Sequence, residues 1–223
     1  MRTDSRFAIY VVPHADSPLG RIGHGLLAAD EAPSLGLDAS WYAARSVDAR
    51  RYGFHATLKS PFRLQGDYDA LEAAIAALAA RHAPIRDVQL SLSELHGFLA
   101  LRPAAPSLAL DALAAACVRD LDRFRRPADA AELEKRRAAG LTARQEENLQ
   151  RYGYPYVLDD FRFHLTLSDR LPDDERALLK GRLTSAFDAC RLDVVDLALC
   201  IEEAPGAQLM LVRRFVLGLD HAQ

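Results

Sequence analysis

Two short segments of this chain are near copies of each other, and their spacing constrains the fold more than any other feature. Gly53-Phe-His-Ala-Thr-Leu-Lys59 and Arg162-Phe-His-Leu-Thr-Leu-Ser168 share the string Phe-His-x-Thr-Leu. A glycine turn signal follows each histidine at one interval: Gly97 comes 42 positions after His55 (97 − 55) and Gly206 comes 42 after His164 (206 − 164). Between histidine and glycine the same order of elements is read twice, a strand, a helix, a strand and a turn. Chance can match one offset, but a matched offset together with a matched order indicates an internal duplication and two similar lobes.

The remaining pattern fills in an α+β chain. Phe7 to Pro13 is β-branched and aromatic, a strand stopped by proline. Residues 14 to 50 show weak periodicity, and a loop with a short helix is expected there. Tyr52 to Leu64 reads as a strand. Leu71, Ile75 and Leu78 give Asp67 to His82 a helical period. Val88 to Leu92 and Phe98 to Leu101 form a hairpin around His96-Gly97, and Ser107 to Phe124 is amphipathic. Residues 125 to 152 are charged and helix-prone, with Thr142-Ala-Arg-Gln145 fitting a capping box. Phe161 to Ser168 reads as a strand, Asp173 to Phe187 as a helix, and Leu192 to Ile201 with Gln208 to Leu217 as two closing strands. The expected organisation over 1–223 is one bilobal domain: a first motif lobe at about 50–105, a helical connection and insert at about 106–156, and a second motif lobe at about 157–220.

Alternate side chains of a strand share a face. His55, Thr57 and Lys59 therefore point one way, as do Arg162, His164, Thr166 and Ser168, while the phenylalanines and leucines point the other. His-x-Thr repeated on both polar faces suggests that the two faces meet. Two imidazoles on either side of a phosphorus atom can serve as general base and general acid. Threonine hydroxyls, Lys59 and Arg162 can hold the non-bridging oxygens and the charge that develops on them. For Lys59 and Arg162, ordinary salt bridging is an equal alternative. Tyr154, Tyr156 and Arg144 in the insert form either a lid that contacts substrate or anchors a second phosphate, or a packing surface against the lobes. Neither motif strand carries an Asp or Glu beside its histidine, so no metal and no cofactor is expected. His14, His24, His82, His96 and His221 lack a matched partner and read as surface or structural.

Composition excludes several classes. A formal net charge of -3 over 223 residues argues against coating long nucleic acid. The three cysteines stand without metal spacing, which suits reduced thiols in the cytoplasm. No segment has the form of a leader or a membrane span. Ser60, Ser91 and Ser168 lack a nucleophile-elbow setting, against a serine hydrolase. The oligomeric state is not legible.

The paired Phe-His-x-Thr-Leu strings resemble the signatures of the two-histidine (2H, LigT-like) phosphoesterase superfamily, which includes 2′,3′-cyclic nucleotide phosphodiesterases and the bacterial 2′-5′ RNA ligase-like proteins. Arg51-Tyr-Gly-Phe-His-Ala-Thr-Leu-Lys-Ser-Pro-Phe62, with Gln150-Arg-Tyr-Gly-Tyr-Pro-Tyr156 and Phe161-Arg-Phe-His164, resembles the branch encoded in bacterial phosphonate-utilisation operons. The resemblance implies a bilobal fold whose two antiparallel sheets face a central cleft with helices outside. It also gives catalytic roles to His55, Thr57, His164 and Thr166. It implies a metal-independent phosphodiesterase for a small phosphorylated sugar or nucleotide, with phosphoribosyl 1,2-cyclic phosphate as the favoured substrate. The alternatives are an RNA-end 2′,3′-cyclic phosphodiesterase or 2′-5′ ligase-like enzyme, and a non-catalytic sensor of phosphate ligands. Position 168 is serine where many relatives carry another small polar residue, and the insert at 125–156 is longer than a minimal member needs.

Overall fold

Strand β1 (Arg6–Val11) has two faces with different uses: Phe7, Ile9 and Val11 enter the main core, while Ala8 and Tyr10 form a separate cluster with Ala198 and Cys200. The computed structural model of the chain describes residues 5–138 and 140–218. His221 lies outside the described residues. After β1 come α1 (Pro18–Ala28), α2 (Ala39–Ala43), α3 (Val47–Tyr52), β2 (Ala56–Arg63), α4 (Tyr68–Ala80), β3 (Ile85–Leu95), β4 (Phe98–Pro103) and α5 (Leu108–Asp120). The chain continues through α6 (Ala130–Arg137), α7 (Ala143–Tyr152), β5 (Leu165–Thr166), α8 (Asp173–Leu183), β6 (Arg191–Val194), β7 (Asp196–Glu202) and β8 (Leu209–Val216).

These strands make the two antiparallel four-stranded sheets of an α+β architecture, in the orders β2-β1-β7-β8 and β5-β4-β3-β6. Each motif strand is the outer strand of its sheet and pairs with the strand that precedes it in sequence. Leu71, Ile75 and Leu78 of α4 and Leu110, Leu113 and Cys117 of α5 are buried in the core. Helix α5 packs against β2, α4 against β7 and β8, and α8 against β4. Asp67, Ser107 and Thr142 cap their helices as the sequence indicates, and Thr142 with Gln145 closes a capping box.

The expected contiguous lobes are not how the sheets are assembled. The hairpin β3–β4, expected beside His55, joins the His164 strand instead, and β7–β8 joins the His55 strand. The duplicated halves thus exchange hairpins, and each sheet draws on both. Leu192 to Ile201, read as one strand, is two: β6 pairs with β3, the chain changes sheet at Val195, and β7 pairs with β1. Alternating burial reports that a face is covered, not which sheet owns the strand, so the pattern could not reveal the exchange.

Both motif strands also begin later than expected. β2 starts at Ala56 and β5 at Leu165, so each histidine is the residue immediately before its strand. β5 is only two residues long, although Leu167 N still donates to Leu99 O and Leu99 N to Ser168 Oγ.

Residues 14–50 hold three helices where a loop with one short helix was expected. Ser17 caps α1, its Oγ accepting from Gly20 N at 3.0 Å, with Pro18 in the first turn. Glycines at 20, 23 and 25 mask the helix in the sequence because glycine disfavours helix interiors. Packing explains Gly23: a Cβ there would lie 2.1 Å from the ring of Phe54, the neighbour of His55. Among the described residues no helix is long and apolar enough to cross a membrane.

Gly23→Val should therefore destabilise the protein by about 1–3 kcal/mol, the usual cost of overpacking a close contact. Urea denaturation measures it; unchanged stability would mean that α1 does not rest on Phe54.

Candidate active site

The two histidine rings are held in the same way. Gly53 ends α3 with φ 73° and ψ 175°, a conformation that side-chain-bearing residues rarely adopt, and its carbonyl accepts from His55 Nδ1 at 2.9 Å. His164 Nδ1 donates to the Arg162 carbonyl at 2.7 Å. In each case the acceptor lies two residues back, in the irregular segment before the strand. A carbonyl can only accept, so the proton of each neutral ring sits on Nδ1 and Nε2 is an unprotonated acceptor. His55 Nε2 lies 3.3 Å from the Thr57 hydroxyl.

Aromatic side chains fix the ring planes. Tyr10 stacks on His55 with centroids 3.9 Å apart and planes 18° from parallel, and it is the register partner of Thr57. Phe98 flanks His164 at 5.8 Å, and Ala100, two residues along β4, is the register partner of Thr166. The two halves of the site are thus built alike.

Burial pushes the His55 pKa down to about 4, against the Gly53 carbonyl that favours the charged form, and the nearby His164 adds to the depression. His164 is lowered as well, chiefly by burial, with the positive charge of Arg102 and the neighbouring His96 adding to it. Each ring lies in a site that resists protonation, and a charge on His164 would oppose one on His55. Both are neutral at pH 7. Burial also holds the Tyr10 phenol protonated.

Of the expected residues, Thr57 meets the His55 ring and Thr166 stands two residues past His164 on β5, opposite Ala100. Lys59 does not join them. A register shift in β2 sets Thr57 opposite Tyr10 but Lys59 opposite Ile9, a core residue. This bulge turns Lys59 away from the histidine face. It is 3 % exposed, and its Nζ reaches Val118 O at 3.3 Å and Asp122 Oδ1 at 3.4 Å. Burial draws its pKa down to about 8, opposed by Asp122. The strict alternation assumed from sequence fails at the bulge, and the salt-bridging alternative is the one the structure displays. Arg162 is exposed and folds back on its own loop, donating to Asp159 O at 2.9 Å and Phe161 O at 2.6 Å. Arg144 pairs with Asp160 at 2.7 and 3.0 Å. Tyr154 and Tyr156 meet edge to face at 5.6 Å and line a cavity next to the site, with Arg51 and Tyr52.

Sequence reasoning missed Tyr10, Arg51 and Arg102. Among the described residues, the buried side-chain polar atoms without a partner are the Nε atoms of Arg51 and Arg102. One arginine stands near each histidine. Arg51 lies over Tyr52 at 4.6 Å, and Tyr52 meets His55 edge-on at 6.5 Å; Arg102 is the arginine whose charge His164 feels. An unpaired buried donor calls for an explanation, and an anion between the histidines would supply one. Arg102 follows Ala100 by two residues on β4, so alternation along that strand was the available signal for it, whereas Arg51, on helix α3, had only its place in the same string as His55. Among the described residues no three His, Cys, Asp or Glu side chains gather as metal ligands would.

The family described as "Protein of unknown function (DUF1045)" matches residues 57–210, and the chain belongs to it. The chain is 37 % identical over 221 residues to a ribose 1,5-bisphosphate phosphokinase PhnN of Janthinobacterium sp. (strain Marseille), covering 91 % of this chain and 49 % of that protein. It is 34 % identical over 216 residues to a protein of the same name from Laribacter hongkongensis (strain HLHK9), covering 93 % and 51 %. The chain spans about half the length of these curated relatives. Among solved structures, E. coli LigT complexed with 3′-AMP is similar over 96 % of this chain and 98 % of that one, with 14 % identity and a TM-score of 0.45, a distant likeness.

The lowered histidine pKa values make a stability prediction. In the unfolded chain a histidine titrates near about 6.5, whereas folded His55 stays neutral down to about 4. Between those values the unfolded chain binds a proton that the folded chain refuses, so stability falls as pH drops through that window. Tm between pH 7 and 5 should fall more steeply in the wild type than in His55→Asn. Parallel curves would mean that His55 protonates freely in the fold.

Proposed function

We propose that this DUF1045 chain is a phosphodiesterase that opens a cyclic phosphodiester on a ribose-like sugar or nucleotide, using its two histidines as acid and base and needing no metal ion. The observation that carries this reading is the matched pair of imidazoles, each clamped at Nδ1 by the carbonyl two residues back, leaving both Nε2 atoms unprotonated. It supports reading the chain alongside the two-histidine phosphoesterases that its duplicated motif resembles.

The proposed reaction follows from those atoms. A cyclic phosphodiester carries one negative charge, and between the rings that charge raises both histidine pKa values. One ring takes up a proton and becomes the general acid; the other remains the base. As a water oxygen forms its bond to phosphorus, the base removes the water proton at Nε2. The bond from phosphorus to the ribose oxygen breaks, and the acid delivers its proton to that oxygen. A phosphomonoester results, and exchange with solvent restores the protons. The Thr57 and Thr166 hydroxyls and the unpaired Nε–H groups of Arg51 and Arg102 stabilise the non-bridging oxygens as charge builds on them.

The favoured substrate is phosphoribosyl 1,2-cyclic phosphate. Its support is the phosphorylated ribose in the names of the curated relatives, beside the motif resemblance to proteins of phosphonate utilisation. The kinase activity in those names belongs to proteins twice this length, and this chain has no Gly-x-x-x-x-Gly-Lys-Ser/Thr loop to hold a nucleotide triphosphate.

Hydrolysis of this compound, of a 2′,3′-cyclic mononucleotide and of a cyclic-ended oligonucleotide, all in excess chelator, tests the proposal. His55→Ala and His164→Ala should each lose roughly 10²- to 10⁴-fold in rate with the fold intact, while Lys59→Met should keep its activity. Preference for the oligonucleotide would move the reading to RNA ends. A wild type that binds the ligands but turns over none would make it a sensor.

A further inference from the structure

A cavity of about 670 Å³ lies on the far side of Tyr52 from His55, and residues 125–156 build much of its wall. This size is typical of sites for small organic ligands. Seven arginine and lysine side chains line it against one carboxylate, Glu132, in a chain whose formal net charge is -3. Four of the seven are already engaged: Arg6 with Glu202, Arg51 with Asp48, Arg63 with Glu132 and Arg125 with Asp122. Arg126, Lys135 and Arg136 make no side-chain ion pair or hydrogen bond among the described residues. Arg136 instead lies 4.8 Å above the ring of Tyr154.

The three unpaired cations have the chemistry of an anion site, and their neighbours narrow the choice of anion. With Arg136 over one face of Tyr154 and Tyr156 edge-on beside it, the tyrosine pair is not an open slot for a nucleobase. Arginine forks and a lysine point charge suit the three oxygens of a phosphomonoester, which carries nearly two charges at neutral pH. Arg51 and Tyr52 line the cavity, Arg51 lies over Tyr52, and Tyr52 also meets His55 edge-on at 6.5 Å, so the cavity wall borders the His55 side of the site. A molecule that passes these two residues presents one group to His55 and another to the cations.

We infer that this cavity is a second phosphate subsite, in which Arg126, Lys135 and Arg136 hold a terminal phosphomonoester on the same substrate whose cyclic diester lies at the histidines. The inference rests on the diesterase reading for the word substrate, but the subsite itself binds whether or not the histidines catalyse. It gives the insert a role: residues 125–156 select sugars that carry a phosphate away from the reacting ring. Charge recognition of this kind weakens with salt.

Calorimetry with ribose 5-phosphate, which offers a terminal phosphate and no cyclic diester, tests the subsite directly. The Arg126→Ala/Lys135→Ala/Arg136→Ala protein should bind it at least about 10-fold more weakly than the wild type, about 1.4 kcal/mol, with an unchanged near-UV circular dichroism spectrum. The kcat/KM preference for phosphoribosyl 1,2-cyclic phosphate over the same cyclic ester without its 5-phosphate should shrink by a similar factor. Weakened ribose 5-phosphate binding, in a protein whose wild type hydrolyses no cyclic ester, would uphold the subsite and sink the diesterase reading. Equal affinity of wild type and variant for ribose 5-phosphate would overturn the subsite whatever the turnover.

Discussion

The hydrogen bond that each histidine ring sends back to the carbonyl two residues earlier sets the geometry on which the rest of the site depends. Such a bond requires that carbonyl to be free of the sheet ladder. Both motif strands meet the requirement by starting one residue after the histidine, at Ala56 and Leu165. On the first side the turn is made at Gly53, whose positive φ needs glycine. On the second, residues 161–164 stay out of the ladder and β5 shrinks to two residues. The irregular backbone before each strand is thus a condition of the site, and the duplicated sequence meets it twice by different local means.

Around those clamps the protein arranges uncharged rings and unpaired donors. Burial keeps both imidazoles neutral, with Tyr10 stacked on His55 and Phe98 beside His164. The Nε–H groups of Arg51 and Arg102 are buried without partners. An unsatisfied buried donor costs on the order of 1–3 kcal/mol, and under the proposed function a bound phosphate offsets that cost. The same logic extends outward to the insert, whose three unpaired cations await a second anion.

The sequence made the paired histidines legible, together with most helices, because these rest on local spacing and capping; the two antiparallel sheets were expected from the family resemblance. Asp67, Ser107 and Thr142 marked helix starts correctly since a cap is a contact within four residues. What stayed hidden depends on partners far along the chain. The exchange of hairpins between sheets leaves alternation intact, so Leu192 to Ile201 looked like one strand. The bulge in β2 reverses Lys59 without any glycine or proline to announce it. Helix α1 was masked by the glycines that let it rest on Phe54. Arg102 had strand alternation as a signal, but the buried, partnerless Nε atoms that single out Arg51 and Arg102 belong to the fold and not to the sequence.

Nitrogen-15 NMR of the two imidazoles tests most directly whether the clamps leave two neutral rings with unprotonated Nε2 atoms. At pH 7 the account predicts the Nδ1–H tautomer at both His55 and His164, with neither ring charged, and protonation of one ring when inorganic vanadate or phosphate is added. An Nε2–H tautomer at either histidine, or two rings that ignore the anion, would contradict it.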